Sequence, residues 1–350
     1  MVANDPDVLS MTPEELEKWM AEIGEPRFRG RQLFEWLWQH GAPSYEDITV
    51  WHKSLRTSMA SRVPLKRLTA EKVQLAQDGT TKLLLRLHDG NRVETVLLPH
   101  PYGYSVCVSS QVGCNMGCHF CASGILGKKR NLSAGEMLDQ VRYANQILGK
   151  RGQKVSRVDL MGIGEPLDNY DAMVKFLHLL HHPLSFQLSY RHVTVSTSGL
   201  VPAIYRLADE EMPVTLAVSL HAPTDPLRLR LMPVNKAYPL SQLIGACRYY
   251  GETTGRRVTF EYLMLDGIND SLDNARELVD LVHDFSCHVN LIPWNPVAEH
   301  PFKPSPMARV RQFQQLVQDR GISCTIRKEL GQEIDAACGQ LRRREEEIVR

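Results

Sequence analysis

Three cysteines, Cys114, Cys118 and Cys121, stand in the run Gly113-Cys114-Asn115-Met116-Gly117-Cys118-His119-Phe120-Cys121. Closely spaced thiolates hold iron–sulfur clusters, which ordinarily take four protein sulfurs. Three would leave one iron of a four-iron cluster without a protein donor. An open metal position is where a small molecule can bind and react. A structural zinc knuckle is the other reading, but it needs a fourth ligand, and His119 lies too close to Cys118 to be an obvious one. The C-x3-C-x2-C spacing therefore favours an iron–sulfur cluster on Cys114, Cys118 and Cys121 over a zinc knuckle.

Other polar residues stand at the ends of strand-like runs. Gly162-Ile163-Gly164-Glu165 brings backbone close to a ligand, because glycine has no side chain, and Glu165 can accept hydrogen bonds from an ammonium group. Ser196, Ser219 and Asn295 can bind a ribose or a carboxylate, although such residues also serve as helix caps and turn formers. His221 reads equally as a satisfied loop histidine. Cys338, in Ala336-Ala337-Cys338-Gly339, is as consistent with a core thiol as with a surface one. Cys107 shares a strand face with Ser105 and Ser109 by alternation, and its plain reading is a small buried hydrophobe. Cys247, Cys287 and Cys324 read as core.

The elements that must position these groups follow from periodicity. Residues 12–62 read as helical, opening with Thr12-Pro13-Glu14-Glu15, a capping box with proline at the first helical position. Residues 68–99 alternate as LLLRL and RVETVLLP around His88-Asp89-Gly90-Asn91, which predicts a β-hairpin. From about residue 103 strands and helices alternate through SVCVSS, VDLMGIG, HVTVSTSG, VTLAVSLH, VTFEYLML and HVNLIP, with a weaker ISCTIRK at the end. Such alternation argues for parallel strands with crossover helices, and six units suit a partial (β/α)6 barrel of the α/β class. Active groups of such barrels gather on loops after the C-terminal strand ends, which is where the cysteines and the polar residues above fall. The expected divisions are a helical accessory domain (1–65), a hairpin connector (66–102), the barrel (103–341) and a charged tail (342–350).

Composition is that of an ordinary globular chain: 43% hydrophobic and 23% charged over 350 residues, with a net charge of +1. No apolar run approaches the roughly 20 residues that span a bilayer, and the N-terminus has no basic start or apolar stretch, so a cytoplasmic protein is expected. Eight cysteines in such a chain suggest metal or redox chemistry before a disulfide framework. Basic residues cluster at Arg27, Arg29 and Arg31, at Lys128, Lys129 and Arg130, at Lys150, Arg151 and Lys154, and at Arg228, Arg230 and Lys236. Each cluster reads either as solvated surface or as a phosphate-binding patch.

The segments Val93-Glu94-Thr95-Val96, Cys114–Cys121 with Ala122-Ser123-Gly124, Arg130-Asn131-Leu132-Ser133, Gly164-Glu165-Pro166-Leu167, Ser219-Leu220-His221-Ala222-Pro223, Asn290-Leu291-Ile292-Pro293 with Asn295, and Ala336–Leu341 occur in the order of the RlmN/Cfr family of radical S-adenosylmethionine (SAM) RNA methyltransferases, which the chain resembles. Phe28-Arg29-Gly30-Arg31-Gln32-Leu33 resembles that family's RNA-binding accessory domain. Pro166 after Gly-Glu is similar to the RlmN branch, which methylates adenine C2, rather than the Cfr branch, which methylates C8. Ile163 departs from the methionine expected in the glycine turn. The resemblance implies a radical-SAM barrel with a [4Fe–4S] cluster and SAM, acting on 23S rRNA and on tRNA next to the anticodon. It also implies a monomer fed by an external flavodoxin- or ferredoxin-like electron donor. It assigns Cys338 as the methyl carrier, Glu94 as the base that removes the C2 proton, and Cys107 as the thiol that frees the product by pairing with Cys338. Gly164, Glu165, Ser196, Ser219, Leu220, His221 and Asn295 match its SAM-contacting positions. The family route makes a 5′-deoxyadenosyl radical, takes a hydrogen atom from the methyl on Cys338, and joins enzyme to RNA covalently.

Overall fold

A computed structural model describes residues 6–125, 127–296, 300–328 and 330–334. Three helices come first: α1 (Pro13–Glu22), α2 (Phe28–Trp38) and α3 (Lys53–Arg62). The expected box starts α1: the Thr12 hydroxyl accepts from Glu15 N–H at 3.2 Å and Thr12 N–H donates to the Glu15 carboxylate at 2.7 Å. Next come β1 (Thr69–Leu75), β2 (Thr81–Arg86) and β3 (Arg92–His100), an antiparallel meander. The hairpin of β2 and β3 is present, and β1 adds a third strand to it.

β4 (Gly103–Cys107) runs antiparallel to β3 and starts the barrel. β5 (Gln111–Val112) and β6 (Arg130–Asn131) pair with each other, apart from the main sheet. The chain then alternates through α4 (Ala134–Gly149), β7 (Val155–Leu160), α5 (Tyr170–His181), β8 (Val193–Thr197), α6 (Val201–Ala208), β9 (Thr215–Ser219), α7 (Asp225–Leu231), α8 (Leu240–Thr254), β10 (Val258–Met264), α9 (Leu272–Val282), β11 (Cys287–Pro293), α10 (Met307–Asp319) and β12 (Ser323–Ile326). All ten strands of the main sheet lie in chain order, and β4, β7 to β12 are mutually parallel. The sheet is therefore the six-unit α/β array expected, with the weak ISCTIRK run as a seventh parallel strand. Between β9 and β10 two helices, α7 and α8, stand where simple alternation of strands and helices calls for one.

Alternation explains the layers. Val106, Val158, Val195, Val218, Phe260 and Val289 are fully buried against helix residues such as Met137, Phe176, Leu243 and Phe313. The residues between them on each strand are polar and face the other side: Ser105, Cys107, Asp159, Ser196, Ser219, Glu261 and Asn290. Burying a leucine- or phenylalanine-sized side chain contributes about 1.5–3 kcal/mol, so the helix-covered face carries the stability and leaves the inner face free for chemistry. The accessory helices share that same apolar core. Arg67 fastens them: its guanidinium reaches Asp139 of α4 at 2.6 Å while donating to the Ala42 carbonyl at 2.7 Å. Among the described residues no helix is long and apolar enough to cross a membrane.

Candidate active site on the inner face of the barrel

The cysteine loop leaves the C-terminal end of β4 and is closed at its neck by β5 and β6. Gly113 has φ +78, and a Cβ there would lie 1.9 Å from the Gly127 carbonyl oxygen, so only glycine permits the neck to close. The three thiols are half-buried. Burial pushes the Cys114 thiol up to about 12, with Glu165 and Cys121 adding to it. Cys118 is pushed up further by burial, then by Cys121 and Cys114, against an opposing pull from Arg228. Cys114 and Cys118 thus hold their protons until a metal displaces them. Among the described residues no three His, Cys, Asp or Glu converge on one point where a single ion would sit. A four-iron cube does not require that, since each thiolate binds a different iron. A thiol-only donor set suits iron–sulfur clusters, and the buried Ser123 hydroxyl beside it has no partner among the described residues. The residues present fit the cluster.

A second, smaller apolar group lies under this loop. Ala222, Leu231, Met232, Leu263, Leu265 and Trp294 are buried together, with Cys118 and Phe120 packed against them. Phe120 meets the His221 ring edge-on at 4.7 Å. His221 adopts φ +57 and is buried. Its Nδ1 accepts from Leu263 N–H at 3.0 Å, which leaves the ring hydrogen on Nε2. Burial, then Arg228, pushes its pKa down to about 3, so the ring stays neutral. His119 fastens the other side of the loop: its N–H donates to the Leu231 carbonyl at 2.9 Å and its Nδ1 to the Arg230 carbonyl at 2.7 Å, both at the end of α7.

Glu165 follows β7. Gly164, at φ +110, sits so close to Gln111 that a Cβ would be 2.6 Å from the Gln111 Cβ. Gln111 Oε1 then accepts from Glu165 N–H at 2.9 Å. The Glu165 carboxylate is buried, which pushes its pKa up, and it accepts from Ser198 N–H at 2.7 Å and Leu167 N–H at 3.1 Å. It bridges the ends of β7 and β8 and has the acceptor character an ammonium group needs. Ser196 and Ser219 lie half-buried on the same inner face. Leu220 is fully buried, its N–H donating to the Glu261 carbonyl. Asn295 is exposed just beyond β11.

Glu94 and Cys107 are brought to one face by register. Lys82 on β2 pairs with Val96 on β3, Val96 pairs with Cys107 on β4, and Cys107 pairs with Asp159 on β7. Glu94 lies two residues from Val96, so it points the same way. The Glu94 carboxylate is 3.6 Å from the Lys82 ammonium, and both are buried. Sequence reasoning misses Lys82 because a lysine at an alternating strand position reads as solvent-facing. Cys338 lies outside the described residues. The basic clusters are partly spent: Lys128 pairs with Asp168, Arg130 with Asp89 and Glu136, and Arg228 is fully buried rather than part of a surface patch.

The radical SAM superfamily pattern matches residues 108–279, and the ribosomal RNA large subunit methyltransferase N-terminal domain matches residues 6–64. A relative from Geobacillus kaustophilus, described as "Probable dual-specificity RNA methyltransferase RlmN", is 49% identical over 97% of this chain and 93% of its own. One of the same description from Bacillus subtilis is 46% identical over 97% and 94%. The crystal structure of a radical SAM methyltransferase from Sphaerobacter thermophilus superposes with a TM-score of 0.92 at 47% identity, covering 95% of this chain and 98% of that one. With the thiol trio on the barrel rim and both domains matched, this chain belongs to the RlmN family of radical SAM RNA methyltransferases.

Proposed function

We propose that this protein methylates C2 of adenosine in 23S rRNA at the peptidyl-transferase centre and in tRNA next to the anticodon, in the cytoplasm, as a monomer reduced by a flavodoxin- or ferredoxin-like donor. The observation that carries the reading is the row Lys82, Val96, Cys107 with Glu94 beside it, which sets a carboxylate and a thiol on one inner face.

Adenine C2 is electron-poor and does not attack an electrophilic methyl, so a nucleophilic carbon radical must be delivered to it. The cluster and SAM, when bound, would supply the radical chemistry that this requires. Cys114, Cys118 and Cys121 hold the cluster. Glu165 accepts the ammonium of SAM, and Gly164, Ser196, Ser219, Leu220, His221 and Asn295 line its place. Cys338 carries the methyl-derived carbon to C2. Glu94 takes the C2 proton, its carboxylate held in place by Lys82, and the single electron that the adduct must also give up to restore the ring would pass back to the oxidised cluster. Cys107 attacks the Cys338 sulfur, so that a sulfur–sulfur bond forms as the carbon–sulfur bond breaks, and the carbon leaves with the electron pair and takes a proton. The adenine must leave its stack to reach this face.

The test is mass spectrometry of nucleosides from RNA incubated anaerobically with enzyme, SAM and reductant. C2-methyladenosine is expected from the parent, none from Cys338→Ala, and protein covalently joined to RNA from Cys107→Ala. A C8-methylated product would overturn the C2 assignment, and ready turnover by Cys107→Ala would remove its resolving role.

A further inference from the structure

Arg228 is a buried cation to which the proposed chemistry gives no role. It is fully buried in α7, and among the described residues no carboxylate lies within ion-pair distance of it. Its guanidinium is satisfied by neutral oxygens instead. Nη2 donates to the Ser198 carbonyl at 2.7 Å and the Ser219 carbonyl at 3.0 Å, Nε to the Leu220 carbonyl at 3.2 Å, and Nη1 to the Asn235 side chain at 2.9 Å. A buried charge without a counter-ion is costly, so an opposite charge is expected nearby in the working protein. Three features say where. The carbonyls belong to the segments after β8 and at the end of β9, the latter among those matched to SAM. The two carbonyls that hold the cysteine loop through His119 come from residues 230 and 231 of the same helix. Once a metal ionises it, Cys118 becomes the first anion to act on Arg228, ahead of Asp225, which reaches the guanidinium only through Asn235.

We propose that Arg228 is a positioning residue that braces the SAM-contacting segments against the cysteine loop, and that its charge raises the reduction potential of the cluster. Reduction adds one negative charge to a group already held by three thiolates. A cation fixed beside it in a low-dielectric setting favours the reduced form. The proposal rests on Cys114, Cys118 and Cys121 being the ligands, a point settled separately by iron and sulfide content of the parent protein.

Full-length parent, Arg228→Met and Arg228→Lys are reconstituted without air. Iron and sulfide per chain, the midpoint potential by EPR-monitored titration, and the SAM Kd by equilibrium dialysis are then measured. Arg228→Met should load iron and shift the reduction equilibrium at least tenfold toward the oxidised form, about 59 mV for one electron. Arg228→Lys should keep the parent potential but bind SAM at least tenfold more weakly, because one ammonium cannot reach four acceptors in the planar pattern of a guanidinium. Should Arg228→Met fail to load, Arg228→Gln keeps amide donors for Ser198 and Ser219 and reads the same charge. An unchanged midpoint in a loaded neutral variant overturns the electrostatic role, and an unchanged SAM Kd in Arg228→Lys overturns the bracing role.

Discussion

Replacing Asp139 should separate the accessory helices from the barrel more cheaply than unfolding either. Asp139 is 0% exposed on α4. Its carboxylate accepts from Arg67 Nη1 at 2.6 Å, Leu68 N–H at 2.7 Å and Arg142 Nε at 2.5 Å. Arg67 cannot swing to water when its partner is lost, because it also donates to the Leu37 and Ala42 carbonyls and lies over the Trp38 ring at 5.1 Å. Asp139→Ala therefore strands two guanidiniums and one amide, a loss of about 3–5 kcal/mol. Asp139→Asn keeps an acceptor but removes the charge, at about 1.5–3 kcal/mol. Burial pulls the Asp139 carboxyl up, but Arg67 and Arg142 pull it down more strongly, and its net pKa is lowered. A lowered folded-state value means the contribution is present above the ordinary aspartate pKa of about 3.9 and lost as pH falls through the folded value. Urea unfolding at about pH 7.5 and at successively lower pH checks this. The gap between parent and Asp139→Asn should be full at neutral pH and close in acid. Variants within about 1 kcal/mol of the parent at neutral pH would refute the claim that this network joins the two parts.

Gly164→Ala forces a side chain into φ +110 and against Gln111, which should cost about 1–3 kcal/mol; because Gln111 holds Glu165 N–H, SAM affinity measured by equilibrium dialysis should fall at least tenfold. Glu261→Gln should stabilise. Burial pushes the Glu261 carboxyl up, so the folded state binds its proton more tightly than the unfolded chain, and stability falls as pH rises above the ordinary glutamate value. The glutamine keeps an oxygen for Asn290, whose Nδ2 now donates to Glu261 at 2.8 Å. Urea midpoints of parent and variant should coincide near about pH 4 and diverge in the variant's favour toward about pH 8, by about 1.4 kcal/mol for each tenfold by which folding tightens proton binding at Glu261.

Much of this was legible because local chemistry and global fold agree. The capping box at Thr12 forms as expected, since it needs only residues three apart. The cysteine loop declares itself for the same reason. Long-range features were not legible. Lys82 sits in Thr-Lys-Leu-Leu-Leu, where alternation separates the faces but cannot say that the polar one is closed over. Arg228 sits in Leu-Arg-Leu-Arg-Leu, which reads as a basic patch; only the packing of α7 reveals that one arginine turns inward and the other outward. α7 itself is seven residues with proline near its start, too short for periodicity to declare. The inner face posed the general problem: its serines, asparagines and acids look like the wet side of a sheet until the barrel curls around them.

On the proposed reading the three-stranded extension is part of the site rather than an addition to it. Its hydrogen-bond register continues through β3 into β4, so Lys82 and Glu94 stand in line with Cys107 without any loop between them to blur their positions. A site built on paired strands holds its groups more tightly than one built on loops. The same extension grips the far end of the chain. In the β1–β2 turn Asp78 accepts from Gly331 N–H at 2.8 Å, and Gln77 N–H donates to Glu333. The stem that leads to Cys338 is thus fastened to the element that carries the proposed base. In the proposed reaction, proton removal and methyl delivery reach one carbon from two distant parts of the sequence, and the hold of the β1–β2 turn on Gly331 and Glu333 ties the segment before Cys338 to the sheet that bears Glu94.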